Sequence, residues 1–242
     1  MPEPLIASIG AMGILKKAFA VTGWSAFGAT TGYYLWTRKN RIVDVPPSDY
    51  LFNHTLYARY NPNKAPVTQD LCLRKVPLSK IRPELLEKEG KLVEAFCAGI
   101  WGGPGFAYQR SYLEKKYRND PETSSHLWDT KDLKNNTYEV GTKITDHFEV
   151  VSKTADSIIV RCGDSPRRQG VRDSDGLFEM LVDVNEDEGV AEFGLKSIFY
   201  KGTGEAAKPG EEPKGPMPPH IQWLHKQYDK IWMETALSNV TR

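Results

Sequence analysis

His225 and Tyr228 are the residues whose types and spacing best suit chemistry on a bound molecule. Both fall in residues 218–237, where apolar and aromatic side chains recur with the period of an α-helix, so they share one helical face with Trp232. An imidazole exchanges protons near neutral pH, and a phenol donates a hydrogen bond. If this face lines a cavity, the pattern predicts His225 as acid or base and Tyr228 as donor. If the face packs on a sheet, both are core residues.

An apolar wall for a ligand is predicted from the last strand-like segment, residues 190–200. Phe193, Leu195 and Phe199 alternate there with polar residues, so they lie on one face of a strand. We predict that these three side chains and Trp232 contact a hydrophobic ligand.

Two charged residues, Arg161 and Glu179, lie in neighbouring strand patterns. A charge that faces the inside of a fold must be paired or functional, because burying it unpaired is costly. On that argument both are candidate ligand-binding residues, as are the adjacent Asp146 and His147. The alternative is that each is a solvated charge at a strand edge.

The sequence contains no motif for metal-dependent or covalent catalysis. It contains no HExxH, and His220 and His225 are five residues apart, so they diverge around a helix. The three cysteines are widely spaced and form no CxxC pair, and no GxSxG nucleophile motif occurs. The glycine-rich turn 101–105 satisfies neither GxGxxG nor GxxxxGK[ST]. The sequence therefore predicts no metal site and no cofactor.

Composition and pattern predict an α+β domain. The 242 residues are 40% hydrophobic and 26% charged, which is ordinary for a globular protein. The chain from residue 46 onward is close to neutral, so we expect no nucleic-acid partner. The predicted elements are a strand at 70–76, helices at 82–99 and 106–118, antiparallel strands at 137–144, 147–152, 157–162, 176–184 and 190–200, and a long helix from 218.

Residues 18–36 contain no charge and are flanked by basic residues on both sides. A helix of this length spans roughly 28 Å, about the hydrocarbon thickness of a bilayer. The pattern predicts a membrane anchor over 1–36, a linker and lead-in over 37–67, and a ligand-binding domain over 68–242. A buried helix or a signal peptide are the alternatives. Gly28 and Gly32 form a small-xxx-small pattern that favours pairing with another membrane protein.

The sequence hardly determines on which side of the membrane the domain lies. Three basic residues follow the predicted span and two precede it, so loop charge hardly discriminates. Cysteines without pairing signals favour the cytoplasmic face of an internal membrane, and we predict a single-pass protein of the endoplasmic reticulum. Three glycosylation sequons, at Asn53, Asn135 and Asn239, would be usable only from the lumen and favour the opposite orientation.

The order of elements resembles the helix-grip fold, in which a curved sheet wraps the last helix and encloses a cavity. Residues 68–240 look like a START-like (SRPBCC, polyketide cyclase-like) domain. The motifs that carry this resemblance are Tyr138-Glu139-Val140-Gly141, Arg161-Cys162-Gly163-Asp164 and a His/Trp-rich final helix, residues 220–239.

The resemblance extends to fungal proteins found beside polyketide or polyketide–peptide assembly enzymes. It implies binding of a hydrophobic intermediate and assistance to its cyclisation, within a membrane-bound complex. Lipid or sterol transfer and a non-catalytic scaffold role are the alternatives. A transfer protein would carry ordinary lipid in its cavity, whereas a scaffold would have a cavity filled by its own side chains.

Overall fold

The computed structural model of the protein describes residues 28–242. Contacts divide the chain into two units, Met1–Lys39 and Asn40–Arg242. In the first unit, residues 28–37 are helical, and the rest of the predicted anchor lies outside the described residues. Within residues 28–242, no helix has the length and apolar character needed to cross a bilayer.

The second unit is built on an antiparallel sheet, as the sequence predicts. The sheet has seven strands, of which the sequence predicts six; the strand Arg41–Val43 falls in the predicted linker. Its spatial order is β1-β2-β7-β6-β5-β4-β3. The strands are β1 (Arg41–Val43), β2 (Val67–Pro77), β3 (Lys143–Ile144), β4 (Phe148–Lys153), β5 (Ser157–Gly163), β6 (Asp175–Asn185) and β7 (Val190–Tyr200). The interior strand β7 pairs along its whole length with β2 on one side and β6 on the other. The acidic turn between β6 and β7 closes with Gly189 at φ +65°, a backbone conformation that favours glycine.

Five α-helices accompany the sheet: α1 (Thr55–Tyr60), α2 (Lys91–Trp101), α3 (Pro104–Tyr117), α4 (Thr130–Asn135) and α5 (Pro219–Leu237). Helix α2 begins later than the period predicts, because Gly90 has φ +82° and residues 83–85 form a separate 3-10 turn. The predicted strand 137–144 is reduced to β3, since Tyr138 and Gly141 have positive φ and turn the chain. Helix α4 lies within residues 119–136, a polar stretch for which the sequence predicts a loop.

Helices α2, α3 and α5 cover the inner face of the sheet and form the main core with it. The aromatic centre of this core joins Trp101 of α2 to Trp232 of α5 and Phe178 of β6, with ring centroids 5.4–6.2 Å apart. Helices α2 and α5 approach so closely that a Cβ on Gly99 would lie 2.6 Å from the Ala236 carbonyl oxygen. A long C-terminal helix against an antiparallel sheet is consistent with a helix-grip fold.

The outer face of the sheet is covered by residues that precede β2. Leu51 and Tyr60 pack there against Leu177, Ile198 and Tyr200 in a second buried cluster. Apart from an irregularity in β4 between Val150 and Ser152, alternate side chains on each strand point to opposite faces of the sheet. This division decides which of the predicted site residues can reach a cavity under α5.

Candidate functional site

A cavity of about 300 Å³ lies between α5 and the inner face of the sheet. Phe148, Phe178, Phe199 and Trp232 supply much of its lining. Its polar lining includes His147 and Ser174 on the sheet side, Gln109 on α3 and one stretch of α5. A volume near 300 Å³ is at the lower end of the range for small-molecule sites, so the cavity suits a compact ligand.

His225 lies at the polar end of this cavity. Its Nε2 atom is 3.3 Å from Oδ2 of Asp229, one helical turn further along α5, and 3.5 Å from Oδ2 of Asp70 on β2. The edge of the imidazole meets the ring of Phe199 at a centroid distance of 5.0 Å. Burial lowers the pKa of His225, while the Asp70 carboxylate acts in the opposite direction. His225 therefore both lines the cavity and packs against its neighbours, so the two predicted roles of this residue do not exclude each other.

Asp70 and Asp229 form a pair of buried acids beside His225, with exposed fractions of 0% and 1%. Both oxygens of Asp70 and Oδ2 of Asp229 lack a hydrogen-bond donor. Among the described residues, no lysine or arginine forms an ion pair with either of them. Burial, together with the neighbouring Asp70, raises the pKa of Asp229 well above its usual range. Two adjacent carboxylates in such surroundings need a shared proton or a bound cation to offset their repulsion.

Tyr228 lines the cavity one residue before Asp229. Its hydroxyl donates a hydrogen bond to the carbonyl oxygen of Gly105 at 2.8 Å. Burial raises the pKa of the phenol, which therefore stays protonated at neutral pH. In this rotamer the hydroxyl hydrogen is engaged, and an oxygen lone pair remains for a ligand donor.

The predicted apolar wall is divided by the structure. Phe199 and Trp232 line the cavity. Phe193 and Leu195 lie on the same face of β7 but are fully buried in the main core, away from the lining. Phe193 packs against Phe96 of α2, with ring centroids 4.9 Å apart.

Arg161 and Glu179 are on the outer face of the sheet, opposite the cavity. The Arg161 guanidinium donates to both carboxylate oxygens of Asp175, from Nε at 2.8 Å and from Nη2 at 2.5 Å. It also lies over the ring of Tyr60 at 3.6 Å. Glu179 has a comparable set of partners: an ion pair with Lys196 at 2.8 Å and hydrogen bonds from the Ser157 and Tyr50 hydroxyls. The structure does not bring these two residues to the cavity.

Asp146 and His147 are adjacent in sequence but have separate surroundings. His147 lines the cavity, and burial lowers its pKa. Asp146 is paired with Arg167, whose Nη2 lies 2.9 Å from Oδ2. Only His147 can therefore contact a molecule in the cavity.

Asp70 and Asp229 are site residues that sequence reasoning missed. In β2 the residues that face α5 include Cys72 and Val76, and Asp70 is in phase with them. A carboxylate at an inward position of a strand is a signal that alternation could have revealed. The proximity of Asp70 to His225 was not visible in the sequence, because the two residues are distant along the chain.

Comparison with models of known protein families and with curated proteins found no match.

Proposed function

We propose that this domain binds a compact hydrophobic molecule in the cavity beneath α5 and assists its cyclisation. The observation that carries the proposal is the polarity of the cavity, which is aromatic over much of its lining but has His225, Tyr228 and Asp229 together on α5. Such a cavity orients an apolar ligand that has one oxygen-bearing end. The substrate class proposed is a polyketide or polyketide–peptide intermediate, as the START-like resemblance implies.

Cyclisation in such a cavity depends chiefly on conformation. A flexible chain that is folded against Phe178 and Trp232 loses the freedom that keeps its reacting ends apart in water. Holding the ends in contact can raise their effective concentration by several orders of magnitude. The side chains of His225 and Tyr228 then contact the polar end of the ligand and select one folded form.

The predicted N-terminal anchor fits this proposal. A hydrophobic intermediate partitions into the bilayer, so a domain tethered there meets its substrate and other pathway proteins at high local concentration. In this part of the proposal, the full chain acts while it is anchored in the membrane of the endoplasmic reticulum.

A steric block of the cavity tests the proposal in the producing host. Gln109 lines the cavity from α3 and is half-buried, whereas its neighbour Tyr108 is 88% exposed. Deletion of the gene should cause an uncyclised or wrongly cyclised intermediate to accumulate. Wild-type protein and Tyr108→Trp should restore the product, and Gln109→Trp should not, because its indole occupies the ligand's volume.

The outcome is read from metabolite profiles, with protein abundance measured in parallel. His225→Ala and Tyr228→Phe should restore the product poorly, at protein levels equal to wild type. An unchanged profile after deletion would rule out the cyclisation proposal. Full rescue by Gln109→Trp would show that the cavity is not the place where the ligand acts.

A further inference from the structure

The donor atoms of Asp70, His225 and Asp229 are spaced like the ligands of a metal ion. One nitrogen and two carboxylate oxygens lie within 4.8 Å of one another. The imidazole nitrogen is 3.3 Å and 3.5 Å from the two oxygens. Ligand atoms around a tetrahedral ion bound at about 2.1 Å lie about 3.4 Å apart, so the two nitrogen–oxygen distances already match such a site.

The same three side chains have unsatisfied polar atoms inside the protein. Both oxygens of Asp70, Oδ2 of Asp229 and Nε2 of His225 are buried without a hydrogen-bond partner. Asp70 is fully buried, so no bulk water compensates it. Ser197, which is directly opposite Asp70 in the β2–β7 register, has a buried hydroxyl that also lacks a partner. A cation among these atoms would satisfy them and offset the repulsion between the carboxylates.

The elements that carry the ligands hold them in place without the ion. His225 and Asp229 are one turn apart on α5, and Asp70 lies on β2, which is paired with a strand on each side. Because His225 and Asp229 also line the cavity, an ion between them would lie beside its polar end. Sites that catalyse reactions keep one position open to water or substrate, whereas purely structural sites are closed.

We propose that Asp70, His225 and Asp229 bind a divalent first-row transition-metal ion at the polar end of the cavity. Two carboxylates and one imidazole suit Mn²⁺, Fe²⁺ or Zn²⁺, since none of the three ligands is a thiolate that would select a softer metal. The site goes beyond the proposed function, because ion binding requires no organic ligand. Where the proposed function holds as well, the ion supplies a Lewis acid that polarises the ligand's carbonyl oxygen.

Ion binding is tested on the full chain, purified in detergent and stripped of metal with a chelator. Titration with Mn²⁺ or Zn²⁺, followed by calorimetry and by the Mn²⁺ paramagnetic signal, should give one ion per chain. His225→Gln should weaken binding at least about tenfold, because it removes the imidazole ligand. His220→Gln is the matched control, since His220 is exposed on the same helix and should bind the ion like wild type.

Asp70→Asn distinguishes a metal site from a merely structural role. The substitution removes one of two adjacent buried carboxylates, so the metal-free variant should melt at a higher temperature than metal-free wild type. It should also lose the rise in melting temperature that the ion gives to wild type. A buried aspartate that only stabilised the fold would give the opposite change in the metal-free protein.

Failure of the metal proposal is separable from failure of the proposed function. Gln109→Trp should bind the ion with wild-type affinity while losing the cyclised product. Absence of ion binding by wild type, or binding unaffected by both His225→Gln and Asp70→Asn, would overturn the metal site and leave the cavity proposal standing.

Discussion

Arg161 forms an ion pair with Asp175 in the interior of the protein. Its side chain is 3% exposed and that of Asp175 is 0% exposed, and the two form a bidentate pair. Arg161→Met would leave Asp175 buried without its partner, which typically costs about 3–5 kcal/mol. We expect a loss of that order in the free energy of unfolding, measured by urea denaturation.

The matched control for this prediction is Arg168→Met. Arg168 pairs with Asp164 at 2.9 Å, but its side chain is 70% exposed. Exposed pairs contribute up to about 1 kcal/mol, so this variant should unfold close to wild type. Equal losses in the free energy of unfolding of the two variants would contradict the interpretation of Arg161 and Asp175 as a buried ion pair.

At the residue scale, the sequence predicted His225, Tyr228 and Trp232 on α5 and Phe199 on the sheet, but missed Asp229 and its partner Asp70. A period of 3.6 residues places His225, Tyr228 and Trp232 on one face without knowledge of the rest of the fold. The partner Asp70 depends on the β2–β7 pairing and on the way α5 lies across the strands. Those are long-range contacts, and no local pattern encodes them.

At the element scale, strands with clear alternation were predictable and glycine-dependent boundaries were not. The predicted strand 190–200 is β7 itself, and the predicted start of the last helix differs from α5 by one residue. The start of α2 and the loss of most of the strand 137–144 depend on positive φ at Gly90, Tyr138 and Gly141. A positive φ at tyrosine is rare and is fixed by its surroundings, here the burial of the ring.

Lys153 joins α2 to β4 and makes that junction sensitive to acid. Its Nζ lies 2.8 Å from Oε1 of Glu94, whose other oxygen is 2.7 Å from Lys91. Burial raises the pKa of Glu94, but the hydrogen bonds and charges of the two lysines outweigh it and lower the pKa overall. The stability that Glu94 contributes is therefore present above the pKa of an unfolded glutamate, about 4.3, and is lost as the pH falls through the folded value.

Lys153→Met should reduce this acid dependence. We expect the free energy of unfolding of wild type to fall more steeply than that of the variant as the pH is lowered from 6 to 3. Urea denaturation at half-unit pH steps measures the difference. Lys75→Met is the control, because Lys75 and Glu188 are both more than half exposed and should contribute little. Parallel pH profiles for wild type and Lys153→Met would contradict the prediction.

At the scale of the whole molecule, the division at residue 39 separates the folded domain from the predicted anchor. The unit Asn40–Arg242 contains the sheet, both buried clusters and the cavity. Asn40 itself belongs to it, since its side-chain amide donates to the Lys230 carbonyl oxygen on α5. A chain that begins at Asn40 should therefore keep the fold, and its unfolding in urea should match that of the full chain.

The same shortened chain tests the predicted attachment to a membrane. After gentle lysis, we expect the full chain in the membrane pellet, resistant to high salt and alkaline carbonate but released by detergent, because an apolar span is held by the hydrophobic effect. The shortened chain should appear in the supernatant without detergent. Release of the full chain by salt alone would indicate attachment through the flanking basic residues instead, and recovery of the full chain in the supernatant would refute the anchor.

Resistance of both forms to a deglycosidase would agree with the predicted cytoplasmic face, whereas a mobility shift of the full chain would place the domain in the lumen.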